Sequence, residues 1–158
     1  KITIIAVGKI KEKYLKDAIA EYSKRLSRYC DLNIIEVADE KAPESLSPAE
    51  EEQVKKKEAE KISKKLRENS YIIVLDIKGE KLSSETFAAK LQDLQTSGVS
   101  NITFVIGGSL GLDSEIIKRA SLKLSLSEMT FPHQLARLLC LEQTYRAFKI
   151  NSGEPYHK

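Results

Sequence analysis

The sequence has few of the residues that would commit it to a specialised class of protein. Its 158 residues include no tryptophan, one methionine, four prolines, two histidines and two cysteines. Cys30 and Cys140 form no CxxC pair, and two widely spaced thiols are typical of reduced, structural cysteines rather than of a disulfide framework. Two histidines and one distant cysteine are also too few for a metal site, so no metal is expected.

Long hydrophobic runs are missing as well. No apolar run approaches the roughly 18 residues that span a bilayer, and the opening stretch KITIIAVGKI lacks a small-residue cleavage site. We therefore expect a cytoplasmic protein with no membrane partner, whose first segment is a core strand. The net charge of +3 permits an RNA partner without requiring one.

Apolar strands alternate with amphipathic helices along the whole chain. This alternation predicts one α/β domain over residues 1–158, with a mostly parallel sheet sandwiched by helices. The predicted strands cover residues 2–7, 32–37, 71–77, 102–106 and 122–126. The predicted helices cover residues 12–29, 49–68, 113–120 and 132–148, with a further helix that begins at Ser83 or Ser84 and ends at Gly98. We expect a loop over residues 41–48 and an irregular tail from Lys149.

A glycine-rich stretch, IGGSLG, follows the fourth predicted strand. It lacks the Lys-Ser/Thr of a P-loop, and its spacing is not G-x-G-x-x-G. Glu128, at the end of the next strand, keeps a dinucleotide site open as an alternative, and a plain tight turn is another. Asp113 and Glu115 place negative charge where a pyrophosphate would lie. The loop therefore favours a ligand that has a positive centre and no phosphate.

Parallel sheets bind ligands beyond the carboxyl ends of their strands. Three segments qualify: residues 75–79, 106–111 and 126–131.

The second predicted helix carries seven Lys/Arg between residues 55 and 67. Its Glu51–Lys55, Glu52–Lys56 and Glu60–Lys64 spacings favour i,i+4 ion pairs on a solvated face, with an RNA backbone contact as the alternative.

The last predicted helix is apolar nearly all round in its first half, from Leu135 to Leu141. A helix packed on only one side shows a single apolar stripe, so this pattern predicts a second wall, most simply another copy of the chain in a homodimer. The second half adds polar groups able to hold a substrate edge or a phosphate: Glu142, Tyr145 and Arg146. Both histidines, His133 and His157, lie in this C-terminal segment.

Three C-terminal blocks, IGGSLG, LSLSEMTFPHQLAR and LEQTYRAFKINSGEPYHK, together resemble the RlmH family of the SPOUT superfamily. The resemblance extends from VGKIKEKY to the terminal PYH. It implies a homodimeric α/β fold with a C-terminal trefoil knot, S-adenosylmethionine as cofactor, and methylation of N3 of a pseudouridine in 23S ribosomal RNA of the ribosome. A ribose 2′-O-methyltransferase of the same superfamily and a non-catalytic ribosome- or RNA-binding module remain alternatives.

The resemblance also implies a set of site residues. The cofactor pocket would be lined by Leu75, Gly107, Gly108, Leu126, Ser127, Glu128, Met129, Thr130 and Phe131, and a Cβ at Gly107 or Gly108 would occupy cofactor space. We expect the short polar tail to be mobile until RNA binds and then to close over the target base. Tyr156 would then contact the flipped base and His157 would accept the N3 proton, with His133 as the competing base. Arg137, Arg146, Glu142 and Tyr145 would contact the RNA around this catalytic centre, and the two arginines suit phosphate.

Overall fold

The structure is a computed structural model that describes residues 1–41 and 44–158. Ala42 and Pro43, in the predicted loop, lie outside the described residues. Ten elements follow one another: β1 (Ile2–Val7), α1 (Lys13–Leu26), β2 (Leu32–Val37), α2 (Pro48–Ser63), β3 (Tyr71–Lys81), α3 (Ser84–Thr96), β4 (Ile102–Ile106), α4 (Ser114–Lys118), β5 (Leu122–Ser125) and α5 (His133–Asn151).

The five strands form one parallel sheet in the order β2-β1-β4-β3-β5. One face packs against α1, α3 and α5 around Phe104 and Leu141, both fully buried. The other face packs against α2 and α4 through Ile62 and Ile116. This is the predicted α/β sandwich. The trefoil knot stays a prediction of the family resemblance.

Helix α2 begins one residue earlier than predicted, at Pro48, and ends at Ser63 rather than at Glu68. The Ser47 side chain accepts from the backbone N–H of Glu50 at 3.2 Å, and the Glu50 carboxylate accepts from the N–H of Ser47 at 3.3 Å. This reciprocal capping box sets the start of the helix.

The ion pairs of α2 also differ from the expected ones. Lys55 pairs with Glu52 at 2.7 Å, three residues away rather than four, and Lys61 pairs with Glu40 at 2.8 Å. The second pair ties the helix to the segment that follows β2, so part of the charge on α2 holds the fold instead of facing solvent.

Strand β3 runs four residues beyond its predicted end. Its pairing to β5 jumps from Leu75 opposite Leu124 to Glu80 opposite Leu124. A Cβ at Gly79 would lie 2.7 Å from both the carbonyl carbon and the oxygen of Lys123. Gly79 therefore permits the close approach of the two strands, whereas the sequence predicted that the strand ends at Ile77.

Helix α5 begins at His133, with Pro132 as its N-terminal flanking residue, and continues to Asn151. The first three residues of the predicted irregular tail are thus helical. Leu141 is fully buried in the core, while Leu135, Leu138 and Leu139 on the other side of the helix are half-buried. The all-round apolar pattern divides into a core side and a side that no described part of this chain fully covers.

Candidate active site

The three segments picked out on sheet topology meet at the carboxyl edge of the sheet. They enclose two adjoining cavities of about 150 and 690 Å³, a size range suited to a small-molecule ligand. Shared lining comes from β3, the glycine loop, the segment after β5, and the start of α5: Leu75, Asp76, Ile77, Gly108, Gly111, Thr130, Phe131 and His133. The smaller cavity is lined in addition by Gly107, Leu126, Ser127 and Met129.

The glycine loop is a tight turn in which Gly111 donates its N–H to the carbonyl of Gly108 at 3.1 Å. A Cβ at Gly107 would lie 2.8 Å from the carbonyl carbon of Gly111, and one at Gly108 would lie 3.2 Å from Cγ1 of Val7. The Cβ at Gly107 would meet backbone atoms, so this glycine lets the loop pack closely on itself. That a Cβ at either position would also occupy cofactor space stays a prediction.

The charge around the cleft matches the sequence-based expectation of a ligand without phosphate. Among the described residues that line the two cavities, Asp76 is the one carboxylate and no lysine or arginine is present. Asp113 is buried and caps α4, accepting from the N–H of Glu115 at 3.1 Å. Glu128 turns away from the cleft, is 81% exposed and pairs with Lys81, so it does not act as the acid of a dinucleotide site.

Glu58 is a buried carboxylate behind the glycine loop that the sequence analysis missed. It is 5% exposed and accepts from the N–H of Glu40 at 3.1 Å. Its carboxylate oxygens lie 3.6 Å from the Cβ position of Gly108, and burial raises the pKa of this carboxyl. One sequence signal was available, because Glu58 lies midway between Val54 and Ile62 on the apolar stripe of α2.

His133, at the start of α5, faces both cavities. Its Nε2 lies 3.7 Å from the Cβ position of Gly8, at the end of β1. Partial burial lowers the pKa of His133 below its ordinary 6.5, the charge of Arg137 lowers it further, and Asp39 opposes them. The imidazole is therefore neutral near pH 7, the form that can accept a proton.

Arg137, one turn further along α5, is 2% exposed. Its Nη1 donates to Glu36 at 2.5 Å and its Nη2 donates to the carbonyl of Gly8 at 3.0 Å, while its buried Nε has no partner among the described residues. In this chain Arg137 is an internal link between α5 and the ends of β1 and β2. That placement does not provide the predicted contact with RNA phosphate.

The remaining predicted residues form a second cluster, on the helical face made by α1, α3 and α5. Tyr156 donates from its hydroxyl to Glu142 at 2.9 Å and accepts from Tyr22 at 3.3 Å. The guanidinium of Arg146 lies 4.7 Å from the centroid of the Tyr156 ring. Tyr145, itself buried, packs edge-on against the same ring at 4.9 Å.

His157 is held at both nitrogens. Arg146 donates to Nδ1 at 3.0 Å. Because a guanidinium can only donate, Nδ1 is the acceptor and the ring proton is on Nε2. Nε2 then donates to Glu85 at 2.6 Å. The tail is therefore docked in the single chain, where the sequence predicted a mobile one. None of Glu142, Tyr145, Arg146, Tyr156 and His157 lines the two cavities described above, so the structure separates the tail from the cleft.

Two further classes of feature were sought in residues 1–41 and 44–158. No group of three or more His, Cys, Asp or Glu side chains is placed to hold a metal ion there. No helix in this part of the chain is long and apolar enough to cross a membrane.

Comparisons with known proteins agree with this geometry. A family model described as "Predicted SPOUT methyltransferase" matches residues 1–157. The chain is 64% identical to the ribosomal RNA large subunit methyltransferase H of Acetivibrio thermocellus and 62% identical to that of Bifidobacterium adolescentis, over 100% of this chain and 99% of each relative. Among solved structures, a probable methylase family protein from Haemophilus influenzae Rd KW20 matches with a TM-score of 0.55 at 15% identity, over 99% of this chain and 70% of that one. This last match supports the fold alone.

Proposed function

The chain belongs to the SPOUT methyltransferase family, and from that premise we propose that it transfers a methyl group from S-adenosylmethionine to N3 of a pseudouridine in large-subunit ribosomal RNA. The observation that carries the proposal is the cleft at the carboxyl edge of the sheet, with its glycine loop, one carboxylate and no basic lining. The names of the full-length relatives support ribosomal RNA as the substrate.

The cleft fits such a cofactor on chemical grounds. A sulfonium is cationic and carries no phosphate, which suits a site with Asp76 on its wall and no lysine or arginine. Backbone N–H and C=O groups of the glycine loop and of residues 126–131 would hold the adenosyl part, and the apolar side chains of Leu75, Leu126 and Phe131 would cover it. When bound, the cofactor supplies an electrophilic methyl group. The chain's own residues supply position and proton transfer.

We assign the proton acceptor to His133. The N3 proton of the target base must leave for the methyl group to be accepted, and His133 faces the cleft in its neutral form. His157 has both nitrogens engaged outside the cleft, so it reaches the substrate only if the tail leaves its present contacts. In this proposal Tyr156 and His157 act after such a release, by contacting the base that has been flipped out of its stack.

We also propose a homodimer. Leu139, one of the half-buried leucines of α5, lines a further cavity together with Phe131, and Met129, two residues before Phe131, is 75% exposed. A second copy packed here would cover the apolar side of α5 and narrow the mouth of the cleft.

The experiment that tests the function uses ribosomes from cells that lack this protein. Purified protein and labelled S-adenosylmethionine are added to intact ribosomes, to large subunits and to free ribosomal RNA, and the modified nucleotide is located by mass spectrometry. We expect one N3-methylated pseudouridine. A ribose methyl group would instead support the 2′-O-methyltransferase alternative. No heat of cofactor binding in calorimetry, together with no methylation, would support a non-catalytic RNA-binding module.

A further inference from the structure

The carboxylate of Glu154, in the docked tail, is held by a dedicated set of donors. Lys149 donates from Nζ to Oε2 at 2.8 Å, and Tyr29 donates from its hydroxyl to Oε1 at 2.8 Å. The hydroxyl of Ser152 lies 3.0 Å from Oε1 and shares its one proton between this oxygen and the carbonyl of Phe148 at 2.8 Å. Lys149 is itself 14% exposed at the side chain, so this ammonium is already fixed near the surface.

The surroundings of this carboxylate are strongly basic. Three cationic side chains from the end of α1 and the turn that follows it, Lys24, Arg25 and Arg28, line a surface cavity of about 150 Å³ together with Tyr29, Tyr145 and Lys149. The one acid on that wall is Glu21, which lies 3.6 Å from Nε of Arg25. The cavity therefore holds an excess of positive charge beside aromatic rings, over which Arg25 and Lys149 lie at 5.0–5.6 Å.

We propose that this basic cavity is a binding site for a phosphate of the RNA backbone, and that Glu154, which is bound to its lining residues Lys149 and Tyr29, is an internal anion at the edge of the cavity that RNA displaces. The proposal rests on the proposed function, because the phosphate is that of the ribosomal RNA substrate.

Ammonium, guanidinium and hydroxyl donors are the groups that hold phosphate in RNA complexes. A phosphodiester carries one negative charge, as an ionised carboxylate does, so exchange of one for the other leaves the charge of the site unchanged. The bonds from Lys149, Tyr29 and Ser152 hold the pKa of Glu154 at about 2, which keeps this carboxylate ionised at neutral pH.

Displacement of Glu154 has a consequence two residues further along. Tyr156 and His157 lie two and three residues after Glu154. Loss of the Glu154 contacts therefore removes the anchor at the start of the docked segment. Phosphate binding at α1 is thereby linked to release of the two side chains that the proposed function places at the target base. The link makes tail release depend on the binding of RNA.

Two variants separate this role from a merely structural one. Glu154→Gln removes the internal anion, and Lys149→Gln removes its main cationic partner. Both should loosen the tail and increase hydrogen–deuterium exchange over residues 152–158. Their effects on affinity for large ribosomal subunits should be opposite. Glu154→Gln should bind about three- to tenfold more tightly because an internal competitor is gone, while Lys149→Gln should bind more weakly, with a salt slope reduced by about one.

The controls come from an exposed ion pair on α1. Lys13 pairs with Asp17 at 3.0 Å, and both side chains are at least 65% exposed, so Asp17→Asn and Lys13→Gln repeat the two charge changes outside the cavity. If Glu154→Gln binds no more tightly than Asp17→Asn, or Lys149→Gln binds as tightly as Lys13→Gln, the proposal is wrong. Calorimetry with S-adenosylmethionine is run on the same proteins, so that loss of the proposed enzymatic function is recognised separately from failure of the phosphate site.

Discussion

Arg137 on the last helix donates from Nη2 to the carbonyl oxygen of Gly8, directly after the first strand, at 3.0 Å. The two residues are 129 positions apart, and Gly8 has a positive φ of 93° that favours glycine. Because His133 lies one helical turn before Arg137, this bond sets where the imidazole stands at the cleft. A buried arginine thus positions the proposed proton acceptor.

The partner carboxylate of Arg137 provides the first prediction. Glu36→Gln leaves the buried guanidinium without its counter-charge. We expect the free energy of unfolding to fall by about 2 kcal/mol, less than for a fully buried pair, because the Glu36 side chain is 39% exposed. Urea unfolding monitored by circular dichroism measures the loss. Glu52→Gln, which breaks the more exposed Lys55–Glu52 pair, should cost less than about 1 kcal/mol. Equal losses for the two variants would contradict the structural role assigned to Arg137.

A second prediction compares two glycines with nearly the same backbone. Gly111 has φ of 86° and Gly98 has φ of 91°, and neither would place a Cβ within 4 Å of another atom. Replacement of either by alanine should cost about 1 kcal/mol of stability through backbone strain. Only Gly111→Ala should also weaken S-adenosylmethionine binding in calorimetry, because Gly111 lines the cleft and Gly98 ends α3. Equal cofactor affinity of the two variants would exclude the loop from the site.

The pH dependence of methylation provides a third prediction. Since the pKa of His133 lies below 6.5, the single-turnover rate should rise with pH on the acid side as the imidazole loses its proton, and should reach a plateau by about pH 7. His133→Ala should lower the plateau rate by about 10² to 10⁴ with unchanged cofactor affinity. If His157→Ala removes the acid limb and His133→Ala does not, the base is in the tail.

The dimer proposal leads to a fourth prediction. Leu135→Glu places a charge on the half-buried side of α5 and should give monomers in light scattering at micromolar concentration. Leu135→Met keeps the volume and the apolar character, so it should remain dimeric. A monomeric parent protein under the same conditions would refute the proposed interface.

Strands β1, β2 and β4 were predicted with their observed bounds, because apolar runs bounded by polar turns carry that information locally. The far end of β3 was not, since the role of Gly79 depends on Lys123 in another strand. For the same reason the sequence could not show that Gly107, which lines the cleft as predicted, also packs against the backbone of Gly111.

The candidate site was likewise predicted in part from the sequence. Parallel topology places the carboxyl ends of all strands at one edge, so the three cleft segments could be predicted from strand order alone. The structural role of Arg137 could not, because its partner Gly8 lies 129 positions away in the sequence. Glu58 had only its place between Val54 and Ile62 as a signal, and nothing local connects it to the glycine loop. The docking of the tail likewise depends on Glu85 and Tyr22, which no local pattern connects to residues 156 and 157.

The position of β1 between β2 and β4 has a consequence for synthesis of the chain. Ile4 pairs with Ile34 on one side and with Phe104 on the other. Once Val37 has been made, β4 begins only about 65 residues later, which at about 5–20 residues per second takes about 3–13 s. During that interval one edge of a strand whose six residues are all buried in the finished fold has no partner, and open strand edges of this kind pair readily with other chains. Rapid completion of β4, or a chaperone that covers β1 meanwhile, should therefore determine how much of the newly made protein escapes aggregation.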